Sequence, residues 1–294
     1  MIHRPAGRRS QRGIALIAVL WGVALLSVLA TAFIADTRTQ STLTRNLAEN
    51  AKAEALADAG VYRAIDRLLT FDLAAAWRAD GTVYRLQLGE GTVAVTAVDE
   101  SGKIDLNRSP DQVLAGLFRN HGLDDGSAKA LIDAIRDFTD RDGERRPAGA
   151  EDDDYHAAGR PWGAKDAPFE SVAELQQVLG MPGALYERVA RYLTVHAARA
   201  QVNPATAPRA VLLAIPGLAE DQVDALLARR NVPGQQVRSI GAAFTIRSEA
   251  GTQGGGVFVR EAVVQRGADR RTPYRIREWR RVWDSDAAAA SDGD

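Results

Sequence analysis

Hydrophobic and polar positions divide this chain into stretches of different period. From Ile14 to Ala35 there is neither a charged residue nor a proline. As a helix rising about 1.5 Å per residue, that run of about 22 positions covers the ~30 Å hydrocarbon layer of a bilayer. The helical pattern does not stop there. Asp36 to Leu69 contains no proline and only one glycine, Gly60, and it is rich in alanine. The two runs predict one helix of about 55 residues over 14–70, apolar first and amphipathic after. Ala48, Ala51, Ala55, Asp58 and Ala59 recur at helical spacing and form a face of small side chains suited to close helix contact. Leu56, Ile65, Leu68 and Leu69 are expected to pack on whatever follows.

After the helix the period falls to two. Thr82 to Val98 alternates, with Val83, Arg85 and Gln87 set against Tyr84, Leu86 and Leu88, and Gly89-Glu90-Gly91 between the two runs. This predicts a hairpin. A turn at Asp99–Lys103 and a short strand at Ile104–Asn107 complete a first block of sheet over 80–107. The period then rises again. Helices are expected at Pro110–Asn120, Ser127–Asp140, Val172–Val178, Ala184–Val195 and Ala207–Arg230, the last broken at Pro216-Gly217. Strand signals return at Gln236–Glu249, Val257–Gln265 and Tyr274–Trp283, with Gly254-Gly255-Gly256 as a hairpin loop. An all-helical block over 108–232 therefore interrupts a sheet that resumes over 236–283. The fold class is α+β. The tail 284–294 is Asp, Ala, Ser and Gly alone, a composition that predicts disorder.

Charge adds direction. Arg4, Arg8, Arg9 and Arg12 precede the apolar run, and the first acidic residue is Asp36. That asymmetry keeps the N-terminus on the cytoplasmic side and sends the rest across. The run is too long for a cleaved secretory signal and is followed by more helix rather than a break. The net charge of −1 gives no global argument for nucleic acid. With no cysteine in the chain, disulfides, thiol catalysis and cysteine-based zinc sites are excluded.

The densest chemistry lies at Asp140-Arg141-Asp142-Gly143-Glu144 and Glu151-Asp152-Asp153-Asp154-Tyr155, seven carboxylates within 15 residues. Such groups repel unless solvent or a cation relieves them, and hard cations such as Ca²⁺ take several oxygens in loops of this kind. Asp140-x-Asp142-Gly143 lacks the remaining ligands of an EF-hand, and a solvated acidic loop is the alternative. Gly143 and Gly149 are expected to supply tight turns. Leu114–Phe138 and Leu212–Arg230 have the shape of helix-hairpin-helix units, but the second sets Glu220, Asp221 and Asp224 against Arg229 and Arg230, a poor balance for binding phosphate. The four histidines form no metal-binding pair and no serine sits in a nucleophile motif, so nothing points to an enzyme.

Four features in order carry a family resemblance. They are Arg12-Gly13 before the apolar run, the Ala-Glu-Ala-Leu-Ala-Asp-Ala-Gly segment over 53–60, the Asp-x-Asp loop, and the closing Tyr274-Arg275-Ile276-Arg277-Glu278-Trp279-Arg280-Arg281. Across essentially its whole length the chain resembles the K-type minor pseudopilins of bacterial type II secretion. The resemblance implies a type IV pilin-like fold, a long helix on an antiparallel sheet, with a large inserted all-α domain. It implies a prepilin leader over 1–13, cut by a prepilin peptidase between Gly13 and Ile14, with the new N-terminus methylated. Most pilins carry Glu at the fifth mature position; here it is Ala18, a departure that the K-type subunits share. The implied place is the bacterial inner membrane, crossed once, with a periplasmic head at the tip of a short pseudopilus. There it would prime assembly and take part in export of folded proteins, alongside the I- and J-type minor pseudopilins and the major pseudopilin, with no nucleic acid. By the same resemblance Asp140, Asp142, Glu151, Asp152 and Asp154 would bind structural Ca²⁺. The alternatives are a minor pilin of a type IV pilus and a membrane-anchored helix-hairpin-helix DNA-binding protein.

Overall fold

The computed structural model describes residues 11–72, 74–230, 241–269 and 271–283, without the side chains of 11–15, 32 and 34–39. Residues 1–10 of the expected leader and the expected disordered tail, 284–294, lie outside the described residues. The predicted helix is present as α1, Gln11–Leu69, 59 residues without a break. Its first half is open: Trp21 is 76% exposed and Phe33 74%. Among the described residues no helix is long and apolar enough to cross a membrane. The expected span includes residues 14, 15, 32, 34 and 35, whose side chains are not described.

The second half of α1 is where the fold begins. Ala53, Ala57, Val61, Ala64 and Ile65, spaced three and four apart, are buried against a sheet. The alternating segments supply its strands: β1 Tyr84–Leu88, β2 Gly91–Asp99, and, far along the chain, the last three. Leu56, Leu68 and Leu69 join Ile65 in this core, as expected from their spacing.

Past β2 the chain leaves the sheet and builds a second core. A short β3 (Ile104–Asp105) leads to α2 (Asp111–Asn120) and α3 (Asp125–Thr139), then α4 (Asp152–Ala157), a 3₁₀ turn at Val172–Gln177 and α5 (Gly183–Val189). A further 3₁₀ turn, β4 (Leu193–Thr194), α6 (Arg209–Leu213) and α7 (Glu220–Arg230) complete it. Leu114, Leu117, Phe118, Ile135, Phe138 and Tyr155 form its interior. The chain then returns as β5 (Ala243–Gly251), β6 (Val257–Arg266) and β7 (Tyr274–Val282). The sheet order is β1-β2-β5-β6-β7, antiparallel throughout.

Three expectations need correction. The Ile104–Asn107 strand does not extend the main sheet: β3 pairs in parallel with β4. The helical block is therefore not all-α. The helix read over Ala184–Val195 ends at Val189 for the same reason. Ile104 and Leu106 are fully buried there, and their backbone needs partners that a strand at 193–194 can offer, as the Leu106 N–H does to Thr194 O at 2.9 Å. Finally, the acidic stretch is not wholly loop, because Asp152 to Ala157 forms the turn of α4. The start of the strand read from Gln236 lies outside the described residues.

Buried charge joins the two cores. Although burial pushes the Glu100 carboxyl up, the Lys103 ammonium and the hydroxyls of Thr194 and Thr245 outweigh it and hold the group below the ordinary range. His196, just after β4, shares a 2.8 Å contact with Glu278 on β7. Asp105 accepts the N–H groups of Asn107 and Ala198 at 3.0 Å each.

Candidate functional site: an acidic recess on the helical block

The acidic stretch folds into a recess of about 250 Å³ lined by Arg141, Asp142, Gly143, Glu151, Asp152, Asp153 and Asp166. Helix α3 leads into one wall, the loop of Arg141, Asp142 and Gly143. Its apolar face carries Leu131, Ala134, Ile135 and Phe138 into the core, and Asp137 lies on that buried face with no side-chain exposure. A carboxylate there needs a partner. Arg146 provides one: its Nη1 donates to Asp137 Oδ1 at 2.7 Å and to Asp140 Oδ2 at 2.5 Å, and its backbone N–H donates to Asp137 Oδ2 at 3.1 Å.

Helix α4 supplies the other wall. Asp154, in its first turn, accepts the Glu151 N–H at 3.0 Å and Arg145 Nη1 at 2.8 Å. The N-terminus of a short helix favours such a carboxylate, and these contacts hold the Asp154 carboxyl below its usual range. Asp152 accepts the Ala164 N–H at 2.9 Å. Glycines make these approaches possible: a Cβ at Gly149 would overlap the Asp137 carboxylate, and one at Gly163 would overlap that of Asp152. Gly149 closes a turn, its N–H donating to Arg146 O at 3.1 Å, and also permits the close approach, whereas Gly143 has open space around it and no positive φ.

Two oxygens remain without partners. Asp140 Oδ1 and Glu151 Oε1 are buried and accept nothing. Burial pushes the Glu151 carboxyl up to about 7, and the negative charges of Asp137, Asp140, Asp166 and Asp142 push in the same direction. Of the five carboxylates singled out above, Asp142, Glu151 and Asp152 line one recess. Asp140 contributes field from beside Arg146, and Asp154 is committed to Arg145. Among the described residues, no three such groups stand close enough together to hold a metal ion. A cation would therefore require Asp140 and Asp152 to exchange their present partners.

Asp137 and Asp166 were missed, and Asp153, read as part of the acidic stretch, was not named among the ligands. An aspartate between Ile135 and Phe138 on an apolar helix face was a readable signal for Asp137. For Asp166 there was none: it sits at φ 54°, held by the N–H groups of Lys165 and Asp166 that both donate to Phe138 O. Aspartate tolerates that left-handed backbone better than most residues. Elsewhere, Glu220 and Asp224 of the second helix-hairpin-helix unit are paired with Arg209, just before it, at 2.8 Å and 3.0 Å.

Comparisons with known proteins agree in direction. Residues 93–198 match the family model "Type II secretion system (T2SS), protein K". The chain is 31% identical over 228 residues to type II secretion system protein K of Klebsiella pneumoniae, covering 69% of each. It is 29% identical over 250 residues to the protein of that name from Pectobacterium carotovorum, covering 76% of each. In three dimensions it resembles a chain of the GspK–GspI–GspJ complex of enterotoxigenic Escherichia coli. That match has a TM-score of 0.57 at 19% identity and covers 84% of this chain and 99% of the other.

Proposed function

The chain belongs to the type II secretion system protein K family, and from that premise we propose that it caps the distal tip of a secretion pseudopilus. The family is a structural component of the secretion machinery rather than an enzyme. One observation carries the tip assignment. Thr92 and Gly251 pair at the end of the sheet near Glu49, where the open half of α1 leaves the head. Asp99 pairs with Phe244 at the opposite end, and the helical block grows from there. A subunit stacking further along the helix axis would meet that block instead of an open sheet end.

In this reading the open half of α1 sits in the bacterial inner membrane, with the N-terminus cytoplasmic and the head periplasmic. The prepilin peptidase cuts between Gly13 and Ile14. Counterparts of GspI and GspJ, the companions in the solved relative, are the direct partners, and the major pseudopilin lies below. The complex primes assembly and serves export across the outer membrane. Ca²⁺ has a structural place in the acidic recess. Asp140, Asp142, Glu151 and Asp152 would hold it, with Asp166 beside them. The support is an all-oxygen donor set and two buried carboxylate oxygens with nothing to accept. The ion would supply positive charge at the two buried oxygens that accept nothing.

The full chain, co-expressed with the I- and J-type subunits of the same bacterium and purified from membranes, tests the assignment. A three-subunit complex in which this chain begins at Ile14 is expected. A chain that purifies without either companion overturns the tip role, and any other N-terminus overturns the leader.

A further inference from the structure

Three of the five hydrophobic residues that α1 buries against the sheet are alanines. Ala53, Ala57 and Ala64 present only methyl groups. A slide of the helix by one turn toward its C-terminus would put Ala53 where Ala57 sits and Ala57 where Val61 sits, an exchange of small apolar groups that burial alone resists weakly. Something else must set the axial register.

Two contacts do. The first is steric. At Gly60 the helix backbone lies so close to the sheet that a Cβ would overlap the Ser248 hydroxyl and come within 2.7 Å of Val93 Cγ1. A one-turn slide in either direction brings Leu56 or Ala64 to this point, and each carries a Cβ. The second contact is electrostatic. Arg260 on β6 is 7% exposed, and its guanidinium lies over the rings of Phe258 and Trp279 at 4.8 and 5.2 Å. It donates through Nε to Asp58 Oδ1 and through Nη2 to Glu54 Oε1, each at 2.7 Å. A one-turn slide would replace this pair of carboxylates by Asn50 with Glu54, or by Asp58 with Tyr62. Either direction forfeits one of two charge-assisted bonds to a nearly buried cation.

We propose that Gly60 and Arg260 form an axial register lock, the point at which the head holds the stalk helix against a pull along its axis. Small residues let the helix lie close to the sheet, and the lock keeps it from slipping on the surface they create.

The absence of native cysteine allows a direct test by disulfide trapping in the full chain. Glu49→Cys with Gly254→Cys reports the native register, because a Cβ at Gly254 would stand 2.6 Å from Glu49 Cγ. Arg45→Cys or Ala53→Cys with Gly254→Cys reports a slip of one turn. Native trapping alone is expected in the parent. Arg260→Met should lower it by about tenfold, as expected for loss of charge-assisted bonds, with slipped products or an undocked helix taking its place. Gly60→Ala should do the same, and Ser248→Gly with Val93→Ala should restore native trapping in the Gly60→Ala background. Native trapping unchanged in both Arg260→Met and Gly60→Ala overturns the lock. Failure of the restoring pair overturns the part assigned to Gly60. The helical block's own thermal transition, followed in each variant, separates slipping from general unfolding.

Discussion

Two charged regions of this molecule solve the same problem in opposite ways. At Arg260 one nearly buried cation meets two carboxylates that arrive from a helix more than 200 residues earlier in the chain. At Glu151 several carboxylates arrive from one short stretch and face one another. In the first, folding brings opposite charges together, each carboxylate 2.7 Å from the guanidinium. In the second, Arg145 and Arg146 cover Asp154, Asp137 and Asp140, while among the described residues no hydrogen bond reaches Glu151 Oε1, and that carboxyl is driven up to about 7. Tertiary pairing can balance charge drawn from distant segments. Charge concentrated in a single loop must be relieved by a proton or by an ion from outside.

The largest effect that could break this contrast is on the balanced side. Arg260→Ala removes the cation, leaves Glu54 and Asp58 unpaired, and strips a stacked stem from Phe258 and Trp279. A loss of about 3 kcal/mol is expected, at the low end for a broken buried pair because both carboxylates keep some solvent. Denaturant titration followed by Trp279 fluorescence measures it. A loss within ~0.5 kcal/mol, the range of ordinary surface changes, would mean that the pair is ornamental.

The unbalanced side should respond to the ion instead. On the proposed calcium reading, Ca²⁺ at about a hundred times its Kd adds about 2.7 kcal/mol of stability to the helical block, visible as a raised melting temperature over an EDTA control. Asp140→Ala with Asp142→Ala should abolish that gain along with calorimetric binding. An equal gain in the double variant would remove the recess from the site.

The smallest effect is in the pH profile without metal. The folded-state value of Glu151 is raised above its ordinary 4.5. Its contribution to stability is therefore fully present below about 4.5 and lost as pH rises through about 7. Glu151→Gln should flatten that slope, changing the difference between pH 5 and pH 8 by on the order of 1–2 kcal/mol in EDTA. An unaltered slope would show that solvent already relieves the recess.

Much of the fold was legible because it rests on local period. A 3.6-residue repeat running through Leu69, a two-residue repeat on either side of Gly89-Glu90-Gly91, and helix breaks at Pro216-Gly217 are written in neighbouring residues. The acidic recess was legible as a stretch but not as a site. Asp137, whose charge acts on Glu151 from behind it, was readable from its place on an apolar helix face; Asp166, which lines the recess from a left-handed turn, is announced by no spacing. β3 and β4 were unreadable for a similar reason. Each is two residues long and exists only because the other, nearly 90 positions away, offers its backbone.

Local period and composition are enough to specify a long helix, an interrupted antiparallel sheet, a helical block between its halves, and a concentration of like charge that something must relieve. The tertiary structure decided which charges meet. It set Arg260 on Glu54 and Asp58, placed Gly60 over Ser248, and left Glu151 facing its own kind. Periodicity follows from each residue's neighbours in the chain, whereas ion pairing and close approach depend on distances that only the folded packing establishes.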